Sequence, residues 1–135
     1  ESWQLTYEEG RKVIESMRFA ETSNLFGNEK DNSFKSTLGA IYQTFDGKDV
    51  YPTLEEKAAN LLYMLVKNHS FNDGNKRIAA ALFIYFLERN NLLFDKNKNP
   101  IIDNNTLAAM TLMIALSKPE EKEIMCLLVL NMLNN

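Results

Sequence analysis

The residues best equipped for chemistry lie in one run, His69-Ser70-Phe71-Asn72-Asp73-Gly74-Asn75-Lys76-Arg77. His69 is the only histidine among 135 residues. An imidazole can take the proton of an attacking hydroxyl near neutral pH. Asp73 offers a hard carboxylate oxygen, suited to Mg²⁺ that itself bridges phosphate oxygens. A helix starting at about Gly74 presents unpaired backbone N–H groups and a partial positive charge, both favourable to a phosphate. Gly74 lets a ligand approach the backbone closely, Asn75 supplies an amide donor, and Lys76 and Arg77 add cations in the first turn. Cations there oppose the helix dipole unless an anion compensates. Each residue also has a plain structural reading: His69 as a solvated turn residue, Phe71 as a core anchor, Asn72 or Asp73 as an N-cap, Lys76 and Arg77 as a solvated face. The misplaced cations are the kind of local inconsistency expected of a binding site, and together the residues read as a base, a magnesium ligand and an anion cradle within nine positions.

Such a loop needs rigid elements around it, and the helix signals are frequent. Thr6 with Glu9 forms a capping box, and Val13, Ile14 and Met17 follow at helical spacing, so a first helix is expected from about Tyr7 to Thr22. Ser33 is placed to cap a second helix carrying Phe34, Leu38, Ile41 and Tyr42. Thr53 and Glu56 form another capping box before a third, with Leu54, Ala58, Leu61, Leu62, Leu65 and Val66 facing inward. Asn68 to Asp73 reads as a polar loop. From about Gly74 to Arg89 the helix is apolar nearly all round, as expected of a central helix enclosed by the others, with Asn90 and Asn91 as its terminators. Leu92 to Ile102 is irregular; Thr106 to Leu116 forms a further helix, and Ser117, Pro119 and Glu120 open the last. Thr44, Phe45, Asp46, Gly47, Lys48, Asp49, Val50 and Tyr51 break this pattern, with an Asp-Gly turn between β-prone flanks. That hairpin has no sheet to join and should be exposed and mobile. The expectation is an all-α, compact bundle of about six helices around a central buried helix, as a single domain over residues 1–135.

Composition narrows the functions. Fifteen Lys and Arg against 18 Asp and Glu give a net charge of -3, which argues against an electrostatic grip on nucleic acid or an anionic membrane. One cysteine, Cys126, and one histidine exclude an intrachain disulfide and a Cys/His zinc site. The longest apolar run, Ile78 to Leu87, is ten residues, too short to span a membrane. Without an apolar signal region at its start, the chain is expected in the cytoplasm. Residue 1 is not Met and is compatible with excision from a longer protein. Trp3 and Tyr7 read as packing aromatics; Met110, Met113, Met125 and Met132 read as core; Cys126 reads as a buried inert thiol; and Lys118 to Glu123 reads as a solvated helix start.

The run HSFNDGNKR resembles the Fic/Doc signature HxFx(D/E)(G/A)N(G/K)R, and the preceding YPTLEEKAANLLYMLVKN resembles the approach helix of Doc-type members. The resemblance covers about Asp46 to Leu87. It implies a Fic-like bundle that binds a nucleoside triphosphate, ATP in the first instance, with Mg²⁺. It further implies transfer of a phosphate-containing group to a Ser, Thr or Tyr hydroxyl of a target protein. On that basis His69 is the general base, Phe71 the loop anchor and Asp73 the Mg²⁺ ligand. Gly74, Asn75 and Lys76 line the phosphate nest, and Arg77 pairs with phosphate oxygens. The hairpin Thr44–Tyr51 becomes the flap that docks the target backbone by strand addition.

Two departures bear on the transferred group. AMP-transferring members carry Gly where this chain has Lys76, and a second arginine where it has Ala80. Losing that arginine removes a charge-assisted bond to the terminal phosphate, and Lys76 lacks the planar fork to replace it. Lys at this position matches Doc-type toxins, so the resemblance favours phosphoryl transfer, with AMPylation by the same site as the alternative. A non-catalytic nucleotide-binding or interaction module is the reading from another class. Glu9-Gly10 matches the end of the family's inhibitory pattern (S/T)xxxE(G/N), but Leu5 holds the Ser/Thr position. Control by a separate antitoxin chain or a neighbouring domain is therefore the expectation.

Overall fold

A computed structural model describes residues 2–134. Thr6 opens α1 (Tyr7–Met17), its Oγ1 accepting the Glu9 amide at 3.2 Å. The reciprocal half of the expected capping box is absent, because the Glu9 carboxylate accepts from the Tyr85 hydroxyl at 2.8 Å instead. A 3-10 turn, Arg18–Ala20, ends this element short of Thr22.

Ser33, the expected cap of α2 (Ser33–Ile41), is instead its first helical residue. Asp31 Oδ1 accepts the Ser33 amide at 2.9 Å, and the Ser33 hydroxyl donates to Ser70 Oγ at 2.6 Å. The hydroxyl is thus drawn across to the loop after α3. Thr53 and Glu56 complete both halves of the capping box that begins α3 (Leu54–Asn68). The later helices are α4 (Asn75–Arg89), α5 (Asn104–Leu116) and, after a 3-10 turn at Pro119–Glu121, α6 (Lys122–Leu133). Asp103 caps α5 by accepting the Thr106 amide at 2.7 Å, a bond that holds its carboxyl below the usual range.

The all-α expectation holds, with one change of centre. α3 packs against α2, α4, α5 and α6, and Ala58, Ala59, Leu61 and Leu62 are fully enclosed. α4 buries Ile78, Leu82, Phe83 and Phe86. Its other face, with Ala80, Ala81, Ile84 and Tyr85, lines a groove of about 540 Å³ beside α1 and α5. The apolar run of α4 therefore serves both a core and a groove, and α3 takes the central place. Met110 and Met125 are buried as expected, whereas Met113 is 45% exposed. Burial pushes the Cys126 thiol up from its ordinary range.

The hairpin forms where the Asp-Gly pair lies: β1 (Thr44–Phe45) pairs antiparallel with β2 (Lys48–Asp49). Asp46 and Gly47 both have positive φ, 54° and 78°, the backbone that matches the right-handed twist of two paired strands. Among the described residues no helix is long and apolar enough to cross a membrane.

Candidate functional site

α3 ends at His69, which adopts the left-handed conformation (φ 53°, ψ 51°) as the C-cap. This reverses the chain at the helix end, and histidine is among the side chains enriched there. The His69 ring is exposed, with Nδ1 2.8 Å from the Lys30 ammonium nitrogen. Two residues on, Phe71 is buried, its ring tilted against Phe34 at 5.3 Å. Phe71 thus joins the core beneath the loop.

Asn75 has a different place from the one its type suggested. Its Oδ1 accepts the Phe71 amide at 2.9 Å and its Nδ2 donates to the Phe71 carbonyl at 2.7 Å. The side-chain amide closes the loop on itself, its oxygen and one of its two N–H donors bonded to Phe71. Gly74 is likewise demanded from inside. Its φ is +90°, and a Cβ there would lie 2.3 Å from Phe26 Cε2. Neither Asn72 nor Asp73 caps α4; Gly74 stands at that position, and no side chain bonds the first-turn amides. Those amides remain suited to an anion.

The segment Phe26–Lys30, which sequence reasoning passed over, straps this loop in place. Gly27 donates to the Asp73 carbonyl at 3.0 Å, Asn72 to the Asn28 carbonyl at 2.8 Å, and Lys30 to the Ser70 carbonyl at 2.9 Å. α1 braces the strap from behind. Arg11 donates to the Gly27 carbonyl at 2.8 Å and Arg18 to the Phe26 carbonyl at 2.9 Å. The Tyr7 hydroxyl donates to Glu29 at 2.5 Å, a bond that raises the tyrosine pKa above its ordinary value. The signal in the sequence was slight: a Phe-Gly pair inside an otherwise polar stretch.

Charge gathers at the start of α4. Arg77 pairs with Glu21, lies 3.6 Å from Asp73 and stacks over the Phe26 ring at 5.1 Å. Lys76 is exposed and meets no carboxylate among the described residues. Both cations border a groove of about 400 Å³ between α4 and α5, which Ala80 also lines. Asp73 belongs to no group of three or more metal-ligating side chains among the described residues. Mg²⁺ keeps several waters and takes one or two carboxylates together with substrate phosphates, so a single carboxylate fits a site completed by a nucleotide.

The hairpin is tied to the other end of α3. Lys57, 6% exposed, reaches Asp49 Oδ2 at 3.0 Å and the Tyr51 carbonyl at 2.5 Å. From Lys57 to His69 along α3 is about 18 Å at the helical rise. A cavity of about 570 Å³ under Val50 and Tyr51, against α6, includes no residue of the 69–77 loop.

A family model described as Fic/DOC family matches residues 4–87. The chain is also similar to a curated protein named Toxin Doc from Mycolicibacterium smegmatis, 51% identical over 47 residues, which are 35% of this chain and 36% of that protein. It therefore matches little more than a third of the length of that relative. No solved structure matches the chain. With the family match spanning more than half the residues and the signature loop built as described, the chain belongs to the Fic/DOC family.

Proposed function

We propose that this domain transfers a phosphate-containing group from a Mg²⁺-bound nucleoside triphosphate, ATP in the first instance, to a hydroxyl of a target protein. One observation carries the reading: an exposed imidazole leads through a doubly strapped loop into an uncapped helix start bearing two cations. In this reading His69 takes the proton from the target hydroxyl as the oxygen attacks phosphorus. The first-turn amides of α4, with Lys76 and Arg77, hold phosphate oxygens, and Arg77 exchanges Glu21 for phosphate. Asp73 would hold Mg²⁺, whose charge offsets that of the phosphates. The hairpin offers exposed strand edges to an extended target segment.

Phosphoryl transfer is the form we favour. Lys76 replaces glycine, and Ala80 presents no charge to a terminal phosphate lying in the α4–α5 groove. Nucleotidyl transfer would place that phosphate where a second arginine is missing. The likeness to a Toxin Doc supports a toxin role, with an antitoxin chain as the natural partner.

The test is transfer to proteins of a cell lysate from ATP labelled separately at the α and γ phosphates. Label arriving from the γ position alone is expected; label from the α position would establish nucleotidyl transfer instead. His69→Ala should abolish labelling by at least about a hundredfold, the scale of a lost general base, while Mg²⁺-dependent ATP binding persists. Unchanged labelling would remove His69 from the chemistry.

A further inference from the structure

The His69 ring is in hydrogen-bond contact with Lys30, and the placement of that lysine is fixed by the backbone. Lys30 donates its backbone amide to the Ser70 carbonyl at 2.9 Å. Glu29, the preceding residue, bridges Phe71, and Gly27 pairs with Asp73. The Cα of Lys30 is therefore registered against the residue following His69 by the same strap that holds the whole loop. The flexible stem then has only to span to the ring, where Nζ lies 2.8 Å from Nδ1.

An ammonium has three donors and no acceptor. A contact of that length to an imidazole nitrogen makes Nδ1 the acceptor, so the ring proton lies on the other nitrogen. We propose that Lys30 is a positioning residue that sets the tautomer of His69: it keeps the proton on Nε2 and covers the Nδ1 lone pair until a target hydroxyl takes its place. This rests on the reading of His69 as the base and adds which atom of the ring receives the proton. The hydroxyl oxygen must reach the position beside Nδ1 now held by Lys30. Once displaced, the ammonium remains within a side chain's reach of that oxygen and favours the negative charge developing there.

The chain's one histidine makes the test unambiguous. Nitrogen-15 NMR of the imidazole at about pH 8, between the ordinary histidine and lysine ranges, should show the proton on Nε2 and an acceptor-shifted Nδ1. Lys30→Met should move the Nδ1 resonance towards that of a free lone pair, and Lys30→Arg should restore it. Carbethoxylation by diethyl pyrocarbonate, followed by the absorbance of the modified imidazole, should run about threefold faster in Lys30→Met than in the wild type, the scale of an exposed charge-assisted bond. A proton on Nδ1 in the wild type, or Nδ1 shifts and modification rates identical in wild type and Lys30→Met, would overturn the proposal. Neither readout involves transfer. A correct tautomer together with labelling that survives His69→Ala would fail only the general-base reading.

Discussion

Two segments leave the helical bundle, and they are held in opposite ways. The loop from His69 to Gly74 is paired on its backbone with Phe26–Lys30, closed by the Asn75 side chain and pinned by the buried rings of Phe71 and Phe26. The hairpin Thr44–Asp49 is exposed along its length and tied to the bundle at its base, by Lys57 and by the Val50 amide donating to the Gln43 carbonyl at 3.0 Å. A group that takes a proton from an attacking hydroxyl needs fixed geometry, whereas a surface that receives an extended chain gains from unpaired edges. Under the proposed function, the rigid loop is the place for chemistry and the exposed hairpin the place for docking.

The largest effect should come from removing the loop's anchor. Phe71→Ala empties a fully buried site against the Phe34 ring and should destabilise the fold by about 3–5 kcal/mol in urea unfolding. A loss below about 1 kcal/mol would mean that the loop does not depend on its anchor, and the contrast with the hairpin would collapse. Gly74→Ala tests the same rigidity through the backbone. Its left-handed φ and the Phe26 ring together should cost about 2–3 kcal/mol, with ATP affinity falling because the start of α4 shifts.

How far the sequence carried this picture depended on whether a contact leaves a pattern. The helices, the Asp-Gly hairpin and the Thr53–Glu56 cap rest on short-range rules and are all present, although α1 ends before Thr22 and Ser33 lies inside α2 rather than capping it. The signature run was legible for the same reason, since its nine residues are contiguous. The strap was not. Its bonds join main-chain atoms roughly 45 residues apart, as from Gly27 to Asp73 or Asn28 to Asn72, and main-chain pairing imposes no side-chain period. Asn75 was misjudged in a related way. An amide both donates and accepts, so its type could not reveal that both capacities were spent on Phe71. The α4 run misled because apolar residues lining a groove look like apolar residues lining a core.

The base of the hairpin offers a smaller but more selective test. Lys57→Met preserves the buried stem but removes the donor to the Tyr51 carbonyl and the partner of Asp49, which is half exposed and stays solvated. Global stability should fall by only about 1 kcal/mol. Hydrogen exchange at the Val50 amide should accelerate by about tenfold, while amides facing the strap, such as Asn72, keep their protection. Faster exchange in both segments would show that they open together, contrary to their separate tethers.

The smallest effect on stability should come from the hairpin's own apolar side chain. Phe45 is 80% exposed and packs against nothing that its removal would uncover, so Phe45→Ala should change unfolding by less than about 0.5 kcal/mol. If an extended target lies along β1, however, that ring becomes buried in the complex. Losing its apolar surface should then weaken target labelling on the order of tenfold, through KM, while ATP binding and the His69 environment stay as they are. The two segments would in that case fail differently: the loop by unfolding, the hairpin by letting the target go. If Phe45→Ala leaves labelling intact, the hairpin is a connection between α2 and α3, and the docking surface must lie nearer His69, along the exposed flank of the strap.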